Sequence, residues 1–521
     1  MAEAPALGHR RVLAIALPIV LSNATVPILG AVDTGVVGQL GEAAPIGAVG
    51  IGAIILTAVY WIFGFLRMGV TGLASQAHGA GDRAEVEAML SRALLIGGTA
   101  GLAMIVLQVP IFWGAFQVSP ASAEVEAMAR DYMGIRVFSA PAAISLYGIT
   151  GWLIALERTR GVLVIQVVMN GLNIALDVLF VLGLGWGVEG VALATFIAEW
   201  SGLAVGLWLC RDAFAGPGWR DAGRVFDALR LKYMARVNGD ILIRSVLLQA
   251  IFVSFLFFGA DFGDVPLAAN QILLQFLHIT AYALDGFAFA AETLVGQALG
   301  AKARARLRRA AILTSLWGLG SSVALAVAFA LAGGQIIDLM TTAPEVREAA
   351  RIYLPYMVLA PLAGLAPWML DGVFIGATRT ADMRNMMALS LLLYGLAVAV
   401  LVPPLGVTTE TFDLMPQRSL ARYMAASGFH TYLVDWGKPE KRHAHLGMKD
   451  YADDMLGKAL ETVRDHSGSQ EVSLMGWCMG GLLILMHAGL KKDPNIRNII
   501  TVASPIDMRG GGIVARSAAA M

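Results

Sequence analysis

The sequence predicts an all-α polytopic membrane protein, two lobes of transmembrane helices related as parallel repeats, followed by an incomplete α/β segment. Three observations predict it: an apolar composition, bilayer-length spans recurring through most of the chain, and a single shift of 221 residues that maps the first set of spans onto the second. Of the 521 residues, 57% are hydrophobic and 15% charged, with a mean hydropathy of +0.68. A soluble domain carries about 25% charged residues. This excess of apolar residues cannot be hidden in a water-soluble core, so the bulk faces lipid.

Taken in order, the apolar spans are 12–34, 45–73, 92–115, 134–156, 162–184 and 187–210, then, after the basic stretch Arg211 to Lys232, 236–259, 266–296, 310–333, 352–376 and 384–402. Each meets the roughly 20 residues needed to cross a bilayer, which gives about eleven helices. Basic residues before the first span imitate a signal peptide, but the apolar run continues too far and is followed by many like it, so it is a retained helix. Beyond Thr408 the hydropathy collapses into charge-rich stretches of the kind found in soluble loops and helices. The expected domains are therefore 1–210, a six-helix lobe; 211–402, a second lobe lacking its sixth helix; and 403–521, the α/β segment.

The duplication is read from matched polar residues. Thr71-Gly-Leu-Ala-Ser-Gln-Ala-His-Gly79 aligns with Glu292-Thr-Leu-Val-Gly-Gln-Ala-Leu-Gly300, and the same shift places Glu124, Arg130 and Tyr132 on Glu345, Arg351 and Tyr353, and Gly151, Arg158 and Thr159 on Gly372, Arg379 and Thr380. Shared membrane composition explains matched Leu and Ala but not matched Gln, Tyr and Arg. Six crossings per copy return the chain to its starting side, so the copies are parallel. The shift also predicts a twelfth helix near 408–431, where the sequence is too polar to span lipid.

Loops after even-numbered helices are basic (Arg83, Arg158, Arg211, Lys302, Arg379), and those after odd-numbered ones are acidic or mixed. The positive-inside rule then places the N-terminus in the cytoplasm, and eleven crossings leave the C-terminal segment outside. The net charge of +0 argues against a nucleic-acid partner. The two cysteines, Cys210 and Cys478, make neither a disulfide framework nor a metal-ligand pattern, so no metal is expected.

Ionisable groups inside apolar helices are costly and are functional candidates by default. The first helix carries Asp33, and the fifth carries Asn170, Asn173 and Asp177. Asn173 and Asp177 are four residues apart and share a helical face. A membrane carboxylate among amides can hold a proton or a small cation. Asp33 lies near the end of its span, so an interfacial carboxylate is the other reading. In the second lobe, Asp240, Asp285, Glu292 and Asp371 are membrane-embedded carboxylates, either coupling groups or structural partners of Arg244. Arg67 and Gln76 are read as packing residues.

Pro18-Ile-Val-Leu-Ser-Asn23, Gly30-Ala-Val-Asp33-Thr34, Asn173-Ile-Ala-Leu-Asp177, Gly187-Val-Glu-Gly-Val-Ala-Leu-Ala-Thr195 and Asp371-Gly-Val-Phe-Ile-Gly-Ala-Thr-Arg379 resemble the multidrug and toxic-compound extrusion (MATE) transporters, in the DinF-like branch, over about residues 10–400. The resemblance implies a multi-pass protein of the bacterial inner membrane, monomeric, with two six-helix lobes around a cavity that alternates between the membrane faces. It implies export of organic, often cationic, compounds in exchange for a proton or sodium ion, with no further cofactor. It implies a coupling site at Asp33, Asn173, Asp177 and Thr195, whose oxygen donors suit a hard cation or a proton.

In the C-terminal segment, Tyr432 to Asp435, Val472 to Met475 and Ile499 to Ala503 read as strands of a parallel sheet, with an amphipathic helix over Tyr451 to Arg464. Gly476-Trp-Cys478-Met-Gly480-Gly481 has the form of a nucleophile elbow with Cys in place of Ser. With Val402-Pro-Pro and Asp435-Trp-Gly it resembles a fragment of the polyhydroxyalkanoate synthases, which have the α/β-hydrolase fold. The acid and histidine of that family follow the nucleophile, and here no histidine follows His487, itself on the helix behind the elbow. Cys478 is therefore expected to be a vestigial nucleophile. The expected function is a transporter rather than an enzyme, against two alternatives: a non-functional fusion of the two pieces, or a membrane-anchored cysteine acyltransferase.

Overall fold

The computed structural model describes residues 7–39, 43–118, 122–260, 264–395, 400–402, 413–415, 418–419, 424, 430–436, 446–477 and 479–502. The chain divides into two compact units, Met1–Phe255 with Val265–Ala388, and Leu256–Asp264 with Leu389–Met521.

The first unit is helical throughout its described residues. In chain order the helices are α1 (His9–Gly38), α2 (Ala43–Trp61), α3 (Phe65–Gly79), α4 (Arg83–Val106), α5 (Gln108–Val118), α6 (Ala123–Arg136), α7 (Ala140–Ala155), α8 (Thr159–Asp177), α9 (Gly187–Leu209), the short α10 (Ala222–Val225), α11 (Ala228–Ala260), α12 (Asp264–Gly300), α13 (Arg304–Met340), α14 (Pro344–Gly376) and α15 (Thr380–Gly395). The pairs α2–α3 and α6–α7 each form one continuous span, joined by a single 3-10 turn. Among the described residues, eight helices are long and apolar enough to cross a membrane; α1, α11 and α15 lie where the other three of the eleven spans are expected. Outward faces are apolar, as at Ile54, Leu102, Val106, Leu331 and Leu339, whereas Ile15, Leu66, Leu90, Tyr132, Ile144 and Trp152 form a core between helices.

The 221-residue repeat is written into the backbone. It carries the span 43–79 onto Asp264–Gly300 and the span 123–155 onto Pro344–Gly376, boundary for boundary. It also carries Gly81 (φ 77°) onto Lys302 (φ 55°) and Glu157 (φ 60°) onto Thr378 (φ 51°). Non-glycine residues rarely hold positive φ, so two such matches record one inherited loop geometry. The helix α9 has no counterpart among the described residues: past α15, Asp413–Met415 and Arg418–Ser419 pair as antiparallel strands instead.

The two repeats meet at the end of the bundle that carries the N-terminus. Gln76 donates from Nε2 to the Gly376 carbonyl (2.9 Å), and its repeat partner Gln297 donates to the Ala155 carbonyl (3.0 Å). Gly79 and Gly300 lie against the backbones of Gln297 and Gln76, where any Cβ would overlap main-chain atoms. Gly79→Val is therefore expected to cost about 1–3 kcal/mol by overpacking. Gly98→Ala, with open space around it, is expected to gain up to about 1 kcal/mol of helix propensity. Thermal unfolding of the two purified variants checks the contrast, and equal effects would contradict it.

Several expected boundaries move. The third span is expected at 92–115, but α4 covers Arg83–Val106 and α5 begins separately at Gln108, and the fourth, expected from 134, begins with α6 at Ala123. The eleventh span was read as 384–402, but α15 ends at Gly395, and Val400–Val402 forms strand β1 of the second unit. Val400–Val402 finds parallel partners on both sides and extends as a strand.

In the second unit, β1 lies between β4 (Tyr432–Leu433) and β5 (Val472–Trp477), and β5 also pairs with β6 (Ile496–Val502), all parallel. The strands β2 and β3 are the antiparallel pair already given. The helices α16 (Leu456–Ser467) and α17 (Met479–Lys491) cover this sheet, with Leu456, Leu460, Leu474 and Ile484 at its core.

Candidate functional site

Two polar clusters lie inside the helical unit. The first belongs to one lobe. Asn173 and Asp177 fall four residues apart on α8 and point inward, 1% and 0% exposed, and Thr195 faces them from α9 at 8%. Asn173 donates from Nδ2 to Thr195 Oγ1 at 3.0 Å, and Thr195 donates to the Val191 carbonyl. One turn earlier, Asn170 donates to Thr25 Oγ1 on α1 at 2.8 Å. The α-helix ends at Asp177 and continues as a π-turn over Val178–Gly183, a distortion that often marks functional positions. Asn173, Asp177 and Thr195 thus share one buried pocket. Asp33 lies on α1, and its side chain falls outside the described residues.

The second cluster lies between the lobes. Arg67 on α3 grips Glu292 on α12 with both terminal nitrogens, at 3.0 and 3.3 Å, and its guanidinium carbon stands 3.8 Å from the centre of the Phe289 ring. Arg244 donates to Asp371 Oδ1 at 2.6 Å. Asp285, two turns before Glu292 on α12, is within electrostatic reach of all four charged groups. It has no hydrogen bond or ion pair among the described residues. The three carboxylates and two guanidiniums carry a formal charge of −1 when all are ionised.

Of the four second-lobe candidates, Asp285, Glu292 and Asp371 come together. Asp240 does not join them: it accepts from Arg384 (2.5 Å) and Thr380 (3.2 Å). Sequence reasoning gave Arg67 and Gln76 to packing; Gln76 does bind the two lobes together, while Arg67 has a specific charged partner across them. Reasoning from sequence also passed over Phe289 and the buried ion pair of Arg136 with Glu199 (2.8 Å). Glu199 stands one turn after Thr195 inside an apolar helix, a signal that was available.

A cleft of about 430 Å³ at the loop end, lined by His78, Arg83, Glu87, Trp152, Arg158 and Asp212, shares no residue with either cluster. There Arg158 forks onto Asp212 (2.8 and 2.6 Å), and this hydrogen-bonded guanidinium holds the Asp212 carboxyl below its ordinary range. Among the described residues, no group of three or more His, Cys, Asp or Glu is placed to hold a metal ion.

In the second unit, β5 ends at Trp477 and α17 begins at Met479, so position 478 is the link between strand and helix; Cys478 itself lies outside the described residues. Gly476 packs directly on the backbone of Gly480 and Gly481, leaving no room for a side chain. His487 is 3% exposed, and its Nδ1 lies 2.7 Å from the Ala452 carbonyl, which ties the ring to the neighbouring helical turn.

Comparison with known proteins follows this division. The MatE family profile matches residues 18–179 and 241–401, and the alpha/beta hydrolase fold profile matches 407–514. The chain is 38% identical over 403 residues to DNA damage-inducible protein F of Escherichia coli, covering 75% of this chain and 85% of that one. It is 24% identical over 458 residues to protein DETOXIFICATION 44, chloroplastic, of Arabidopsis thaliana, covering 84% and 86%. The Vibrio cholerae MATE transporter VcmN superposes with a TM-score of 0.67 at 21% identity, over 74% of this chain and 87% of that one. The tail is 37% identical over 101 residues to poly(3-hydroxyalkanoate) polymerase subunit PhaC of Haloferax mediterranei, 19% of this chain and 20% of that protein. The chain therefore spans about a fifth of the length of that relative.

Proposed function

Because the chain belongs to the MatE family, and is thus a multi-pass membrane transporter, we propose that it is a secondary antiporter exporting organic compounds, cations among them, in exchange for a proton or sodium ion. The observation that carries this reading is the buried pocket of Asn173, Asp177 and Thr195 on two facing helices. A carboxylate withdrawn from both water and lipid is costly in its charged form. It is stable with a proton or a cation beside it, and a group that exchanges one for the other is what coupling needs. The negative cluster between the lobes supports a cationic cargo, since its field attracts positive charge. We place the N-terminus in the cytoplasm on the loop charges, and the Gln76 and Gln297 contacts then close the cytoplasmic end.

The test uses the full chain in liposomes with ethidium as cargo. An imposed proton or sodium gradient is expected to drive ethidium against its own gradient, and dissipating the effective gradient stops it. Flux that follows neither ion gradient overturns the reading. It would favour instead an inactive fusion, which the lack of a counterpart of α9 among the described residues supports.

We infer that the second unit does not catalyse. The one buried histidine among its described residues, His487, lies on the helix behind the elbow and engages a backbone carbonyl, where it cannot serve position 478 as a base.

A further inference from the structure

The Arg67 guanidinium rests on two groups of the opposite lobe, and both come from one face of α12. Glu292 takes its two terminal nitrogens, and Phe289, one turn earlier, lies flat beneath its carbon at 3.8 Å. A carboxylate and an aromatic ring three residues apart on a helix are neighbours. Together they satisfy a planar cation at its edge by paired hydrogen bonds and at its face by the ring quadrupole. Glu292 and Phe289 thus have the form of a receptor, and Arg67 the form of its ligand.

Three further observations separate this arrangement from ordinary packing. The repeat places Ala288 opposite Arg67, Thr71 opposite Glu292 and Met68 opposite Phe289, so the constellation exists once and is not a contact common to both halves. It joins α3 to α12, the elements whose ends meet at Gly79 and Gly300, and lies roughly 12–18 Å from that end by helical rise. The nearby Asp285 has no hydrogen bond or ion pair among the described residues, so the cluster holds one carboxylate more than Arg67 and Arg244 pair with.

We propose that Glu292 and Phe289 form a subsite for planar, delocalised cations of the guanidinium class. Arg67 fills it as a tethered ligand while the lobes are together at this depth, and a transported cation replaces Arg67 when they part. The second clause rests on the antiport reading given above; the subsite does not. A tethered ligand competes at an effective concentration of about millimolar, so its removal raises the affinity for a free one.

The test measures binding of phenylguanidine to the full chain in lipid nanodiscs by equilibrium dialysis, with neutral phenylurea as the control. Arg67→Ala is expected to bind phenylguanidine about tenfold or more tighter than wild type, and phenylurea no better. Adding Glu292→Gln or Phe289→Leu to Arg67→Ala is expected to erase the gain. Arg67→Met, which keeps the apolar stem, repeats the measurement if Arg67→Ala fails to fold. An Arg67 variant with wild-type affinity, or a gain that survives Glu292→Gln, overturns the proposal and leaves the pair a static brace. Ethidium transport is read in the same variants. Absent transport with this binding pattern intact sinks the antiport reading alone, whereas transport without the pattern sinks the subsite alone.

Discussion

Replacing Asp177 by asparagine is expected to abolish gradient-driven ethidium export while leaving the protein folded. The side chain is 0% exposed at the junction of α8 with its π-turn, beside the hydrogen bond of Asn173 to Thr195. Asparagine keeps the size and an acceptor oxygen but can neither take up a proton nor carry the charge that holds a cation. A neutral amide is also less costly to bury than a carboxylate, so the melting temperature should hold or rise. The loss is then one of coupling and not of structure. Asp33→Asn is expected to behave alike, since Asp33 completes the same site by family resemblance. Thr195→Ala removes the acceptor for Asn173 and the donor to the Val191 carbonyl, a net loss of about 1 kcal/mol, and should weaken export without ending it. Undiminished flux in Asp177→Asn would remove this pocket from the mechanism.

Glu199→Ala is expected to be the most destabilising of the single changes considered. Arg136 reaches Glu199 at 2.8 Å and the Tyr132 hydroxyl at 2.9 Å, and the Tyr60 hydroxyl donates to its carbonyl. Its side chain is only 9% exposed. Removing Glu199 leaves a buried guanidinium without its counter-charge, a loss of about 3–5 kcal/mol. The exposed pair Arg130 and Glu126 makes a similar contact, 2.6 Å, at 41% and 32% exposure. There Glu126→Ala should cost about 1 kcal/mol or less. Replacing both buried partners, as Arg136→Met with Glu199→Leu, is expected to recover most of the loss, because no unpaired charge remains. Thermal unfolding of the purified variants in one detergent compares the three. A Glu199→Ala protein as stable as Glu126→Ala would show that the buried guanidinium finds other solvation.

Composition and repetition settle the class of this protein, its duplication and the order of its helices, though few of their exact ends. Lipid imposes a length and an apolarity on every span, and repetition with one shift keeps Gly79 aligned with Gly300 whatever the fold. The first-lobe residues Asn173 and Asp177 were legible because polar groups in apolar helices are rare and costly, and helical spacing alone puts both on one face; Thr195 came only from the family resemblance. Tertiary structure decided what spacing cannot express. Asp285, Glu292 and Asp371 meet from α12 and α14, while Asp240, equally acidic and equally embedded, turns to Arg384. Arg67 looked like packing because its partners, Glu292 and Phe289, lie more than two hundred residues away on the other lobe. Val400–Val402 read as the end of a helix because a short apolar run fits helix or strand equally; the parallel partners at Tyr432 and Leu474 made it a strand. Local pattern fixes what a segment must bury, and only the assembled fold supplies the partner it is buried against.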